Sequence, residues 1–336
     1  MLRLPWFDYR APRSVAEAVS ILAGEGPAAM LVAGGTDLLP NMKRRHQTPK
    51  VLVSLRGISA LKSFSNGSGV TYGSCLTLSD VVRNEKTPTA LRQAAGQIAT
   101  PHLRNMGTLG GNLCLDTRCT YYNQNYEWRQ AIGFCLKKDG QTCWVATASK
   151  RCVAVSSTDT APALIALNAK VKLAGPDGER SIPVETLYKN DGIEYLSRRP
   201  DEILTSIEIP DCKFKSTYWK LRRRGSFDFP ILGVAVALRL DPSNRIEEAR
   251  VALGGVASRP FLVDKAGEFL SGKTLTDEVI AEAGERIANR AKPMDNTDMD
   301  LYWRKEVADD FAGYALRELR GDDMRDTRLR TAHYLP

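Results

Sequence analysis

The sequence predicts an α+β protein in which a two-subdomain N-terminal region precedes a C-terminal antiparallel sheet with helices. Three observations carry this. Residues 14–55 read as helix, strand, glycine turn, helix-capable segment and strand, a βαβ-like opening with parallel pairing. Strand and helix patterns continue through residues 56–213, interrupted by a cysteine-rich stretch. Beyond residue 214, long apolar strands come before three amphipathic helical segments, the arrangement of a separate α+β unit. The expected boundaries are therefore 1–55, 56–213 with an insert at about 114–155, and 214–336.

The elements follow in order. Ser14-Val15-Ala16-Glu17 has a capping-box pattern and opens a helix. Ala29 to Val32 is a short apolar strand that breaks at Ala33-Gly34-Gly35-Thr36-Asp37, and Lys50 to Leu55 is the next strand. Val70 to Gly73 reads as a strand, Thr77-Leu78-Ser79-Asp80 as a helix cap, and Ala90 to Ala99 as a helix. Gly107-Thr108-Leu109-Gly110-Gly111-Asn112 reads as a glycine-rich turn. Residues 114–152 hold five of the seven cysteines and show little periodicity. Thr160 to Ala169 is an apolar helix, and Val171–Ala174 and Ile203–Ile209 are strands. Ile231–Leu240 and Ile246–Gly255 form a hairpin across Asp241-Pro242-Ser243-Asn244, a turn composition. Helices are expected at about 260–271, 276–291 and 300–319, with an extended, charged tail from Asp322 to Pro336.

Composition narrows the function. Hydrophobic residues are 43% and charged residues 26%, ordinary for a soluble globular protein. No run approaches the roughly 18 apolar residues of a membrane span. The first residues contain neither a long apolar core nor a small-residue cleavage site, so the expected location is the cytoplasm. There, cysteines read as free, metal-binding or catalytic rather than disulfide-bonded. The formal net charge is +8, densest between Lys213 and Arg224. No helix-turn-helix, zinc-finger or RNA-binding pattern accompanies it, which argues against nucleic acid, and the run reads as a solvated face or a subunit interface.

Two features could carry chemistry. Gly34-Gly35 follows a strand, and glycine lets backbone N–H groups face an anion without a Cβ in the way. Gly110-Gly111-Asn112 repeats the device in the second subdomain. Neither matches the dinucleotide fingerprint or the P-loop. Each alone reads as a turn, and the pair fits a cofactor clamped between subdomains. Secondly, Cys119, Cys135, Cys143 and Cys152 are spaced by 16, 8 and 9 positions. Four thiolates can bind zinc or an iron–sulfur cluster, or can be ordinary buried thiols. These four contain no close C-x₂₋₄-C pair of the structural-zinc kind, but Cys114 stands five positions before Cys119 and could compete as a ligand. His46, His102 and His333 fall in no metal or nucleophile pattern, and Cys75 and Cys212 stand alone.

These residues resemble a family. Leu31-Val32-Ala33-Gly34-Gly35-Thr36-Asp37-Leu38 is similar to the pyrophosphate loop of the FAD-binding medium subunits of molybdenum hydroxylases, the xanthine oxidase family with carbon monoxide dehydrogenase and aldehyde oxidoreductases. Gly107-Thr108-Leu109-Gly110-Gly111-Asn112-Leu113 resembles the second FAD loop, and Asp159 the aspartate that follows it. Glu202 to Pro210 resembles the strand beside the flavin, and Lys220, Arg224 and Asp228 the opening of the C-terminal domain. The resemblance implies FAD held by Leu31–Leu38, Thr77, Ile98, Thr100, Gly107, Thr108, Gly110, Gly111, Asn112, Asp159, Leu204 and Lys220, with the last two near the flavin ring.

One departure is large. Asn112 and Asp159 lie 47 positions apart, far more than a short family loop needs. This insert resembles that of 4-hydroxybenzoyl-CoA reductase FAD subunits, which implies a 4Fe–4S cluster on Cys119, Cys135, Cys143 and Cys152. The implied assembly has a molybdenum–pterin large subunit, a small subunit with two 2Fe–2S clusters and a ferredoxin-like electron donor. It would be a dimer of heterotrimers, since closed two-fold symmetry is the commonest arrangement. The alternative is an oxidative molybdenum hydroxylase of aldehyde, xanthine or CO dehydrogenase type, with electrons leaving through FAD and the insert vestigial or zinc-bound. No residue of this chain is expected to act as acid or base on the substrate.

Overall fold

A computed structural model describes residues 3–210, 213–225 and 227–333. The opening unit is a three-stranded parallel sheet: β1 (Asp8–Arg10), helix α1 (Val15–Glu25), β2 (Ala29–Val32), α2 (Leu38–Lys43) and β3 (Val51–Ser54), in the order β1-β3-β2. Ser14 caps α1 by accepting from the Glu17 N–H, but the Glu17 carboxylate reaches Arg13 N rather than closing the box. Buried Ala18, Val19 and Leu22 of α1 pack on Val51 and Val53 of β3.

The second unit holds β4 (Phe64–Asn66), β5 (Val70–Gly73), α3 (Leu78–Arg83), α4 (Thr89–Gly96), α5 (Pro101–Arg104), α6 (Leu109–Leu113), α7 (Tyr126–Ala131), α8 (Thr160–Ala166), β6 (Lys170–Gly175), β7 (Gly178–Pro183) and β8 (Ile203–Ile209). Its sheet is antiparallel, in the order β4-β5-β8-β6-β7. Thr77 and Asp80 form a complete capping box on α3. Sequence periodicity carried the α8 helix to Ala169, but Asn168 turns the chain at φ +54°, so the helix ends at Ala166. The expected glycine turn at 107–112 is in part the short helix α6, capped by Thr108. From Leu115 to Ser157 the only regular element among the described residues is α7.

The third unit contains β9 (Lys215–Leu221), β10 (Leu232–Leu240), β11 (Ile246–Gly254), β12 (Phe261–Leu262), α9 (Asp264–Leu270), α10 (Asp277–Ala288), α11 (Leu301–Arg320) and α12 (Arg325–His333), with sheet order β12-β11-β10-β9, all antiparallel. Both faces of this sheet are buried, which is why β10 reads as a continuous apolar run. Successive side chains alternate faces. Tyr218, Ala235, Ala237 and Ala252 share a core with α4 and α8, while Trp219, Val234, Val236, Val251 and Leu253 share one with α10 and α11. The small residues on the first face admit α8 closely; a Cβ on Gly254 would come within 2.6 Å of Pro162.

Three expectations change here. The stretch 260–271 is split, because Phe261 and Leu262 pair with β11 before α9 starts. The tail is helical rather than extended: Arg328 of α12 pairs with Glu318 at 2.6 Å and lies over the Trp219 ring at 4.1 Å, docking the segment on β9. The basic run is not a uniformly solvated face, since Lys220 and Arg222 are buried while Arg223 and Arg224 are exposed and paired with Asp298 and Asp228. Among the described residues no helix is long and apolar enough to cross a membrane. Cys212 and the end of the tail, residues 334–336, lie outside the described residues.

Candidate functional site

A cavity of about 730 Å³ lies where the three units meet. One wall is Leu31 to Leu38, the run that leaves β2 and enters α2. Gly35 sits at φ +74°, which an L side chain rarely adopts. Gly34 has a different reason: a Cβ there would collide with the Met106 carbonyl. Thus Gly34 permits the first glycine segment to lie on the chain just before Gly107. The second wall is Gly107, Thr108, Gly110, Gly111 and Asn112. Gly110 is pressed on Ser74, where an added Cβ would come within 2.8 Å of the carbonyl oxygen, and its N–H donates to that oxygen at 2.9 Å. Thr108 Oγ1 accepts from Gly111 N at 3.1 Å. The Asn112 side-chain oxygen accepts from the Thr158 and Thr160 hydroxyls at 2.8 and 2.6 Å, tying this wall to the Asp159 segment.

Ile98, Asp159 and Leu204 also line the cavity. Thr77, Thr100 and Lys220 do not. Thr77 and Thr100 are spent on capping α3 and α5. Lys220 is buried behind Asp159, donating to its carboxylate and to the Gln97 carbonyl, each at 3.1 Å. Lys220 thus meets the cavity only through Asp159, which lines it. Tyr218 donates to Asp159 at 2.8 Å, so both carboxylate oxygens are engaged by protein. Burial pushes the Asp159 carboxyl up and the Lys220 ammonium down, and their mutual attraction opposes both shifts.

Several lining residues carried no sequence signal. The hydroxyls of Ser74 and Ser157 are buried without a hydrogen-bond partner and belong to residues on the cavity wall. Arg44, Arg118 and Arg198, together with Arg224 of the resemblance, add positive charge around it. Arg118 pairs with Asp37 and donates to Asn41 Oδ1 at 3.1 Å, its guanidinium 4.9 Å from the Phe229 ring centre. No motif joins Asp37 to Arg118; only folding brings them together.

A second, small pocket is lined by Cys119, Cys135, Cys143 and Cys152, all buried, together with Tyr121, Tyr122, Lys137 and Trp144. Cys114 instead lines the large cavity. Trp128 and Phe134 do not line the cysteine pocket. Backbone N–H groups of Tyr121 and Tyr122 face Cys119, and that of Ala154 reaches Cys152 Sγ at 3.4 Å. Burial pushes the Cys119 thiol up to about 11 and that of Cys152 up to about 12. Among the described residues no group of three or more histidine, cysteine or acidic side chains is placed to hold a metal ion.

The comparisons with known proteins agree with this arrangement. A family model described as the FAD binding domain in molybdopterin dehydrogenase matches residues 5–212, and one described as the CO dehydrogenase flavoprotein C-terminal domain matches residues 216–319. The chain belongs to this family. It is 31% identical over 303 residues to the aldehyde oxidoreductase FAD-binding subunit of Escherichia coli, covering 85% of this chain and 93% of that one. It is 27% identical over 319 residues to the carbon monoxide dehydrogenase medium chain of Hydrogenophaga pseudoflava, covering 93% and 96%. The solved carbon monoxide dehydrogenase of H. pseudoflava superposes with a TM-score of 0.76 at 26% identity, covering 94% of this chain and 97% of that one. The cyanide-inactivated Cu,Mo-CO dehydrogenase does so at 0.77 and 26%, covering 95% and 99%. The protein is thus an FAD-binding oxidoreductase subunit of the molybdenum hydroxylase type. The cavity suits such a group: glycine backbone, unpaired buried hydroxyls and arginine charge fit a pyrophosphate and its sugars, and apolar Ile98 and Leu204 offer packing for a ring.

Proposed function

We propose that this chain carries electrons through FAD for a molybdenum–pterin large subunit, beside a small subunit with two 2Fe–2S clusters, in a cytoplasmic dimer of heterotrimers. The electrons leave through FAD, as in an oxidative hydroxylase. The observation that carries this reading is the large cavity with a glycine segment on each of two walls. The direction is supported by relatives named as an aldehyde oxidoreductase and a carbon monoxide dehydrogenase over most of the chain. FAD supplies exchange of one or two electrons between centres. In this reading Val32 to Leu38 and Thr108 to Asn112 hold its phosphates, Ser74 and Ser157 donate to polar oxygens, and Asp159 reaches a ribose hydroxyl while Lys220 and Tyr218 hold it in place. The domain limits 1–55, 56–213 and 214–336 belong to the same proposal.

A second reading rests on the four cysteines around one pocket. There the insert holds a 4Fe–4S cluster and electrons run inward from a ferredoxin-like donor, as in 4-hydroxybenzoyl-CoA reductase, for reductive dehydroxylation of an aromatic acyl-CoA. Flavin, iron, sulfide and zinc analysis of the purified complex is the first test. The expected result is one non-covalent FAD per chain, and absence of flavin overturns the whole reading. Anaerobic mixing then separates the directions. Bleaching of the flavin by an aldehyde supports outward flow. Bleaching only by a reduced low-potential donor, with about four irons beyond those of the partner subunits, supports the second reading and overturns the first.

A further inference from the structure

Between the two pockets lies a buried ion pair that neither glycine segment nor cysteine set requires. Lys137 lines the cysteine pocket, and Asp116 lines the large cavity. They meet at 2.8 Å with both side chains almost fully enclosed. Lys137 also donates to Thr117 Oγ1 at 2.8 Å and to the Gly192 carbonyl at 2.6 Å. Gly192 is pressed on Cys152, where a Cβ would come within 2.6 Å of the sulfur. The ammonium lies 4.8 Å from the Tyr122 ring centre and 5.5 Å from that of Tyr195. Tyr122 lines the cysteine pocket too, and its hydroxyl donates to Asp116 Oδ2 at 2.9 Å.

A buried ion pair is a poor device for stability alone, because apolar residues of similar size often do as well. Its charges, however, act over distance in a medium that screens them weakly. Here the cationic end lies on the wall of the cysteine pocket and the anionic end on the wall of the large cavity. We propose that Lys137 and Asp116, steadied by Tyr122, form an electrostatic connector that sets the relative electron affinities of FAD and of the group held by the four cysteines. The positive end favours an added electron at the sulfur side, and the negative end disfavours one at the flavin. Were a redox group held by the four cysteines, the pair would raise its electron affinity relative to that of the flavin. These are positioning residues that touch no substrate. The inference rests on the FAD assignment of the large cavity and, for its sulfur end, on the cluster reading.

The test is a redox titration of the FAD-loaded full chain, followed by visible and electron paramagnetic resonance spectra, with iron and zinc measured on the same samples. Lys137→Met removes the positive end and should lower the flavin midpoint; Asp116→Asn should raise it; Lys137→Arg should restore the wild-type value. Where iron is present, its midpoint should fall in Lys137→Met by more than the flavin's. Tyr122→Phe, which leaves the pair intact, should lower the flavin midpoint slightly and serves if Lys137→Met does not fold. A merely structural staple would change melting temperature and leave the midpoints where they were, and that result overturns the connector. Iron-free protein whose flavin still responds with opposite signs confines the effect to the flavin and overturns both the connector and the cluster reading. Iron-loaded protein with unmoved midpoints overturns the connector alone.

Discussion

The large cavity and the cysteine pocket are neighbours held by different means. The cavity walls are backbone, pressed together at glycines: Gly34 on Met106 and Gly110 on Ser74. Behind them stand three sheets and their cores. The cysteine pocket sits in about 40 residues with one short helix, and its own apolar cluster is limited to Cys119, Tyr122, Cys152 and Ala154 with Tyr121 and Val145 beside them. Side chains hold it instead: Lys137, Asp116, the stacked His46–Tyr122 pair at 4.3 Å, and Asn296, whose amide donates to the Val153 carbonyl. A cavity of the first kind is preformed by packing. A pocket of the second kind gains its order from whatever cross-links it.

The sharpest break in this contrast is Gly34→Val. It forces the two glycine segments apart, so flavin content should fall to near zero and the melting temperature should drop; retained flavin would mean that the segments do not clamp the cofactor. Next comes Lys220→Met, which strands the Asp159 carboxylate in the core. Removing one partner of a buried pair costs about 3–5 kcal/mol, measurable by denaturant unfolding. Asp159→Asn combined with Lys220→Met should recover part of that loss, whereas additivity would mean that the two do not interact.

Cys135→Ser probes the other side. Under the second reading it should release the insert's iron and expose residues 114–155 to protease, with flavin content and the global unfolding midpoint near wild type. Loss of flavin along with the metal would erase the distinction between the two regions. The smallest effect concerns pH. Burial pushes the His46 imidazole down from 6.5 to about 4, so the folded state resists the proton that the unfolded chain accepts. The stabilisation is present above pH 6.5 and is lost as the pH falls toward 4. The insert's protease resistance should fall over that window, and less so in His46→Phe, which keeps a ring against Tyr122.

Much of this molecule is decided by local sequence. Thr77 and Asp80 cap α3 because three-residue spacing suffices for a capping box. The βαβ opening and the β10–β11 hairpin follow from runs of apolar residues broken by turn chemistry. The glycine segments are visible for the same reason, since a strand followed by Gly34-Gly35 is a local pattern. Periodicity erred where a distant partner ruled. The tail became α12 because Arg328 finds Glu318 and Trp219, and the 260–271 stretch split because β11 offered an edge to Phe261 and Leu262. β9 delivers Lys220 behind Asp159, a contact that no local pattern shows. Tertiary structure alone decided that Arg118 meets Asp37, that Cys114 lines the large cavity rather than the cysteine pocket, and that Lys137 and Asp116 join two pockets. Those contacts span tens of residues without a periodic signal, and charges buried together are chosen by what the fold encloses rather than by what stands next to them in the chain.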